Sequence, residues 1–332
     1  MLQAVTSRPP SRRARKARVR CYEKNQELVV AVWRRIERRW RAYPPGLRAL
    51  ARDLVVTLGP KPQAFFSGPD AGPLLHFPIW LAGTSVQKSL PDLLEATALA
   101  YLYVRIQDNV IDEPATRGKP PLLLLGNLLL ADAMALLGAF TGSPSFWQRA
   151  KAAWELFSEE TERERRQIST KGPYTVAAFR RHSRKVALAR IPLYAVLARA
   201  NRDRATSLRR VDQLIDCMGQ AYGLVNDVLG FTRDLASGAN THLLATARAT
   251  LPSAQQHDSK AVERVLMAQP LFERFLEQSI GLHRRALPIG EALGIRVMRT
   301  FTDERIARIE HHTRQMTTLR LAAALAPANP MQ

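Results

Sequence analysis

Helical periodicity in long runs is what most constrains the fold of this chain. In "NQELVVAVWRRIERRWRAY", residues 25–43, apolar side chains recur every three or four positions and charges fill the gaps. That spacing lays an apolar stripe along a helix and leaves a charged face opposite. Pro44 and Pro45 stop the pattern. "SLPDLLEATALAYLYVRIQDNVIDE", residues 89–113, opens with Ser89 as an N-cap and Pro91 near the first turn, and runs to Pro114. Further helices are predicted at 121–140, 144–168, 174–200, 207–234, 259–290 and 300–324, with a Gly/Pro-rich loop at 59–73. No useful length alternates with a period of two, and no repeat of fixed length is present. Long helices joined by short loops predict an all-α fold, a single large helical bundle over 23–325, with residues 1–22 as a basic tail.

Charge and cysteines narrow the setting. The net charge is +20, and "SRPPSRRARKARVR", residues 7–20, carries seven basic residues and no acid. A like-charge block of this kind reads as a solvated tail, with a polyanion contact or an Arg-rich targeting segment as the functional alternatives. No apolar core follows it, which argues against a secretory signal. Cys21 and Cys217 match no zinc or redox spacing, so a reducing, cytoplasmic setting is expected. "PLLLLGNLLLADAMALLGAF", residues 121–140, is nearly long enough to cross a bilayer. Asn127 and Asp132 inside it make a buried core helix the expectation instead, since a charge at that depth is costly.

Two acidic stations carry the chemistry. Asp108 and Asp112 stand at i and i+4, on one face near the C-terminal end of their helix. Carboxylates there oppose the negative end of the helix dipole, and a cation would offset that cost. The second station is "MGQAYGLVNDVLGFTRDLASG", residues 218–238, where Asn226, Gly230 and Asp234 recur at i, i+4 and i+8 with Asp227 beside them. Oxygen ligands suit a hard cation such as Mg²⁺, which keeps its waters and bridges to phosphates. Two such stations on separate helices, amid surplus basic residues, suggest a metal-bridged diphosphate.

The pair of stations resembles the class I isoprenoid synthases, both trans-prenyl diphosphate synthases and terpene cyclases. "QDNVIDEPATRGKP" (107–120) resembles their first aspartate-rich motif and the turn after it, and "GNLLLADAMALL" (126–137) the helix that follows. "RKVALARIPL" (184–193) resembles their Lys-Thr helix, with Lys185 in the lysine's place and Val186 in the threonine's; residues 218–238 resemble the second motif. The match runs over 75–245 and implies a bundle with a central active-site cavity.

Departures point toward a cyclase. Elongating members carry a Gly-Gly-Lys-Arg segment before the first motif, to grip a second diphosphate; here "GPLLHFPIWLAGTSV" (72–86) has no Lys or Arg. The arginine pair after the first motif is reduced to Arg117, and the Gly-Lys after the second becomes Gly238-Ala239. Asn226…Gly230…Asp234 is closer to the cyclase pattern of Asn, Ser or Thr, and Glu, with Gly230 lacking the hydroxyl.

The resemblance implies Mg²⁺ ions, with Mn²⁺ able to substitute, held by Asp108, Asp112, Asn226, Asp227 and Asp234. Arg180, Lys185, Arg117 and Arg233 would stabilise the leaving diphosphate. Tyr103, Phe179, Tyr222 and Phe231 are the candidate pocket aromatics, with Tyr103 as its floor. Gly219 and Gly223 either loosen the helix beside the cavity or permit close packing, and His311-His312 reads as surface. The expected activity is that of a terpene synthase, a carbon–oxygen lyase ionising an allylic prenyl diphosphate, C15 or C20 favoured. The rivals are a chain-elongating prenyltransferase with an altered second site and a non-catalytic synthase subunit. The resemblance leaves room for a homodimer, and no nucleic-acid partner is expected, because no base-reading motif accompanies the charge.

Overall fold

The structure, a computed structural model, describes residues 21–56, 62–68, 72–84, 86–112, 120–170 and 174–325; for residues 62–64, 111–112 and 168–170 only the backbone is described. No strand occurs among the described residues. A short 3₁₀ turn leads into α1 (Gln26–Arg41), which buries Val29, Val32, Trp33, Ile36 and Trp40, the stripe its periodicity sets out. The prolines that stop α1 begin α2 (Pro45–Val56). Proline suits a first helical position, where no amide partner is needed and its fixed φ already matches.

The predicted loop at 59–73 contains α3 (Pro62–Ser67), and a π-helical turn (Gly72–His76) passes into α4 (Phe77–Leu81). Next come α5 (Leu90–Asp112), α6 (Pro120–Phe140) and α7 (Pro144–Thr170). The helix expected over 174–200 is broken into α8 (Val176–His182), a 3₁₀ segment (Ser183–Ala189) and α9 (Arg190–Arg199). Then follow α10 (Ala205–Ser237) and α11 (His242–Arg248).

The single helix expected over 259–290 is two, α12 (Ser259–Ala268) and α13 (Leu271–Leu293). Gln269 between them is extended, as the residue before a proline prefers to be. The last helix is α14 (Met298–Leu325).

At 33 residues, α10 is about 50 Å long and takes part in both hydrophobic clusters. Its first half packs with Leu93, Leu99 and Leu197 in one; Leu224, Val228 and Phe231 join Phe272 and Phe275 of α13 in the other.

A polar seam ties α1, α5 and α6. Glu95 of α5 is buried and accepts from Arg35 (2.7 Å) and Arg39 (2.8 Å) of α1. Arg39 also reaches Asp132 of α6 at 3.3 Å, and the Tyr43 hydroxyl donates to that carboxylate at 2.6 Å. The charge inside the apolar 121–140 run therefore has its partners.

The expectation that α6 is buried is met on one side only. Leu125, Leu129, Ala133 and Leu137 are buried, while Leu123, Leu124 and Met134 are exposed. It is the one helix among the described residues long and apolar enough to cross a membrane, and 33% of its most apolar window is buried.

Replacing Glu95 by Ala leaves both arginines without their shared acceptor. Chemical denaturation should show a loss of about 1–3 kcal/mol, against at most about 0.5 kcal/mol for the exposed Asp53→Ala. Equal stability of the two variants would remove the seam from the account.

Candidate active site

One face of α5 builds the wall of an apolar cavity of about 300 Å³. Thr97, Ala100, Tyr101, Val104 and Asp108 follow at helical spacing, so the same stripe that lines the cavity ends in a carboxylate. Leu130, Ala133 and Leu137 of α6, Trp154 and Phe157 of α7, and Met218 and Tyr222 of α10 complete it. A second, polar cavity of about 490 Å³ shares Lys185, Val186, Gly219 and Tyr222 with the first. Its wall carries Glu164, His182, Asn226, Asp227, Arg305, Arg308 and His312. An apolar chamber thus adjoins one rich in oxygen donors and cations.

Glycine lets α10 come close enough to form that junction. A Cβ at Gly219 would lie 2.5 Å from Val186 Cγ2 and 2.6 Å from the Ser183 carbonyl oxygen, and one at Gly223 would press on Phe179 at 3.1 Å. Of the two readings of these glycines, close packing is the one the geometry displays.

Asp108 lines the apolar cavity with its carboxylate half-exposed and Arg105 at 3.7 Å. The α5 backbone reaches Asp112, whose side chain lies outside the described residues, as does Arg117 altogether. Asn226 and Asp227 line the polar cavity. Asp227 also accepts the Leu243 amide at 3.1 Å, at the start of α11. Burial pushes its carboxyl up to about 7; the Leu243 amide opposes this and the nearby Asp234 charge adds to it.

Asp234 is 6% exposed and lines neither cavity. Arg233 donates to its Oδ1 through Nε (2.9 Å) and Nη2 (2.8 Å). Lys185 lines both cavities and is paired with Glu164 at 2.7 Å.

Besides Asp234, four expected contributors line neither cavity. Tyr103 lines neither cavity: its ring packs over Gly126 and edge-on to Trp154, 5.8 Å away, and its hydroxyl accepts from Gln107. Five residues before Asp108 is well round the helix, whereas four and seven before share its face, so Val104 and Tyr101 take the cavity positions. Burial raises the Tyr101 phenol to about 12. Phe231 packs on Phe272 at 4.9 Å, away from both cavities.

Arg180 is exposed, because Ala178, Phe179 and His182 take the buried face of α8. Arg233 too is largely exposed and lines neither cavity. Phe179 and Tyr222 do line the polar cavity, Phe179 stacked on His242 at 4.9 Å.

Arg305, Arg308 and His312 of α14 are the contributors that sequence reasoning missed. Arg305 is only 4% exposed, with its guanidinium 4.5 Å over the Tyr222 ring, a cation–π contact. The three stand at i, i+3 and i+7, one helical face. That spacing was the available signal, and it places His312 in the cavity wall rather than on the plain surface expected for it.

Neither a family model nor a curated protein matches this chain. Solved structures do, and they give it the all-α isoprenoid synthase fold. A Staphylococcus aureus heptaprenyl diphosphate synthase matches with TM-score 0.64 and 14% identity, over 86% of this chain and 99% of that one. An apo Arabidopsis medium/long-chain length prenyl pyrophosphate synthase matches with TM-score 0.60 and 16% identity, over 80% and 97%. A T. brucei FPPS with a bound indolylmethyl-piperidine compound matches with TM-score 0.56 and 15% identity, over 88% and 99%.

Gly219→Ala forces backbone to move, since one of its clashes is with a carbonyl oxygen. A thermal or chemical melt should show a loss of about 1–3 kcal/mol, the range for overpacking. A variant as stable as the parent would show that the junction does not depend on this contact.

Proposed function

We propose that this protein is a Mg²⁺-dependent enzyme that ionises an allylic prenyl diphosphate. The observation that carries the reading is the union of an apolar cavity, ended by Asp108, with a cavity wall bearing Asn226, Asp227, Lys185, Arg305 and Arg308. A prenyl tail fits the first, and a diphosphate fits the second. Asp108, Asn226 and Asp227 are oxygen donors at the cavity walls, the chemistry a hard cation takes, and Asp234 stands behind them with Arg233 as its present partner. Bound Mg²⁺ would supply Lewis-acid stabilisation of the leaving diphosphate.

Lys185, Arg305 and Arg308 add fixed positive charge where the C–O bond's electrons go. Tyr222 and Tyr101 offer ring faces to the cation left behind, and the apolar walls keep water from it. A cavity of about 300 Å³ is at the small end of ligand pockets, which favours C15 over longer chains.

Two fates of the cation are distinguishable. Transfer to a second isoprenoid diphosphate is favoured by the fold, whose solved examples include the heptaprenyl diphosphate synthase and the FPPS. Cyclisation without a partner is favoured by the 72–86 stretch, which lacks the expected second grip.

Purified protein incubated with Mg²⁺ and C10, C15, C20 or C25 allylic diphosphates, with and without isopentenyl diphosphate, separates them. Transfer gives a lengthened diphosphate only when both substrates are present. Cyclisation gives a hydrocarbon or alcohol from the allylic substrate alone. Turnover of none of them overturns the enzymatic reading.

Asp108→Asn should lower kcat by about 100-fold or more with an unchanged circular dichroism spectrum, because the carboxylate is half-exposed and its loss costs the fold little. Near-normal Mg²⁺-dependent turnover would remove Asp108 from the site.

A further inference from the structure

We infer that His182 donates a hydrogen bond from Nε2–H to the bound diphosphate, and that Tyr174 holds the imidazole in the tautomer that makes it a donor. The inference rests on the diphosphate reading above. It begins with how α8 ends. Arg180, the residue that the sequence offered for gripping the anion, is exposed and lines neither cavity. His182, two residues on, stands in the wall of the polar cavity. The chain tightens into the 3₁₀ segment directly after it, and at three residues per turn Lys185 follows on the same side as His182. Lys185 lines that cavity too.

The two ring nitrogens of His182 have different surroundings. Nδ1 is paired with the Tyr174 hydroxyl at 3.0 Å, and the Tyr174 ring stands edge-on to the imidazole at 5.2 Å. Burial pushes the Tyr174 phenol up, so it keeps its proton and donates it to Nδ1. Burial also holds the imidazole below its ordinary value, with Glu164 and Glu160 opposing and Lys185 and Arg181 assisting. A neutral ring that accepts at Nδ1 carries its one hydrogen on Nε2. His182 is 3% exposed, yet neither of its nitrogens is buried without a partner. With Nδ1 taken, Nε2 is the nitrogen that meets the cavity.

The charges around it suit a neutral donor. Glu164 is paired with Lys185 and Glu160 with Arg163, each at 2.7 Å, so both acids have cations of their own. Arg305 and Arg308 bring further positive charge to the same cavity. A neutral N–H adds a contact to a phosphate oxygen without adding another cation beside Lys185, and the ionised oxygen makes that bond a strong one.

Inorganic pyrophosphate with Mg²⁺ is the probe, titrated by calorimetry into the full-length protein, with the histidine ring nitrogens followed by NMR. Binding tests the inference apart from turnover. In the parent protein pyrophosphate should shift the His182 Nε2 signal, which is identified by its loss in His182→Phe. That variant keeps a ring against Tyr174 and removes both nitrogens; its binding should weaken about tenfold or more, the strength of a hydrogen bond to a charged group. His182→Gln puts an amide N–H near the place of Nε2 and should recover most of the loss. Tyr174→Phe frees the tautomer and should weaken binding by a smaller factor, about two- to fivefold.

A His182→Phe variant that binds like the parent overturns the inference, as does a His182→Gln variant no better than His182→Phe. An Nε2 signal that pyrophosphate leaves unmoved overturns it as well, and decides the matter should His182→Phe fail to fold. Parental binding in Tyr174→Phe overturns the part given to Tyr174. If the parent binds no pyrophosphate at all, the diphosphate reading falls, and the inference with it.

Discussion

The site depends on how closely α10 approaches the 3₁₀ segment at 183–189. Gly219 has no side chain, and only for that reason can the helix lie against Ser183 and Val186. The approach brings Lys185 from one element and Tyr222 and Asn226 from the other to the same wall. Move α10 out by the width of a methyl group and the apolar chamber on the α5 side loses its junction with the polar chamber on the α14 side. A tail pocket and a charge pocket would then exist without adjoining, which ionisation of a prenyl diphosphate could not use.

Charge is arranged around that junction with a clear asymmetry. On the outer side, α1, α5 and α6 are stitched by Glu95, which accepts from Arg35 and Arg39, and by Asp132, which accepts from Arg39 and Tyr43. On the inner side, acids and cations are left facing cavities: Asp108, Asp227 and Glu164 against Lys185, Arg305 and Arg308. Burial lifts the Asp227 carboxyl to about 7 against the opposing Leu243 amide, and a nearby positive charge would bring it back down. The outer ion pairs tie helices together, whereas the inner charged groups line the two cavities.

Much of this was legible in the sequence, for local reasons. The stripe of α1 and the long runs of α5 and α10 follow directly from apolar spacing, and the spacing of oxygen-bearing side chains along α5 and α10 singled out Asp108 and Asn226, which line the cavities. What sequence could not supply was direction and long-range company. Tyr103 was chosen by distance along the chain, but side chains on a helix are sorted by angle, which gave the cavity to Tyr101. The spacing of Arg305, Arg308 and His312 marks a helical face, but what Arg305 meets there is Tyr222, more than 80 positions earlier, under its guanidinium. Pro45 and Pro270 mark two uses of proline: the first opens a helix that the sequence reading did not include, and the second splits one that looked continuous.

The central claim is that α5 and α10 face a single diphosphate across the cavity junction. Its most direct test is a crystal structure with Mn²⁺ and an unreactive thio-analogue of farnesyl diphosphate, read by anomalous scattering. The account predicts manganese peaks beside Asp108 and beside the Asn226–Asp234 stretch, with the diphosphate between them near Lys185 and Arg305 and the tail against Tyr101. Manganese confined to surface carboxylates, or an analogue bound outside the two cavities, would contradict it.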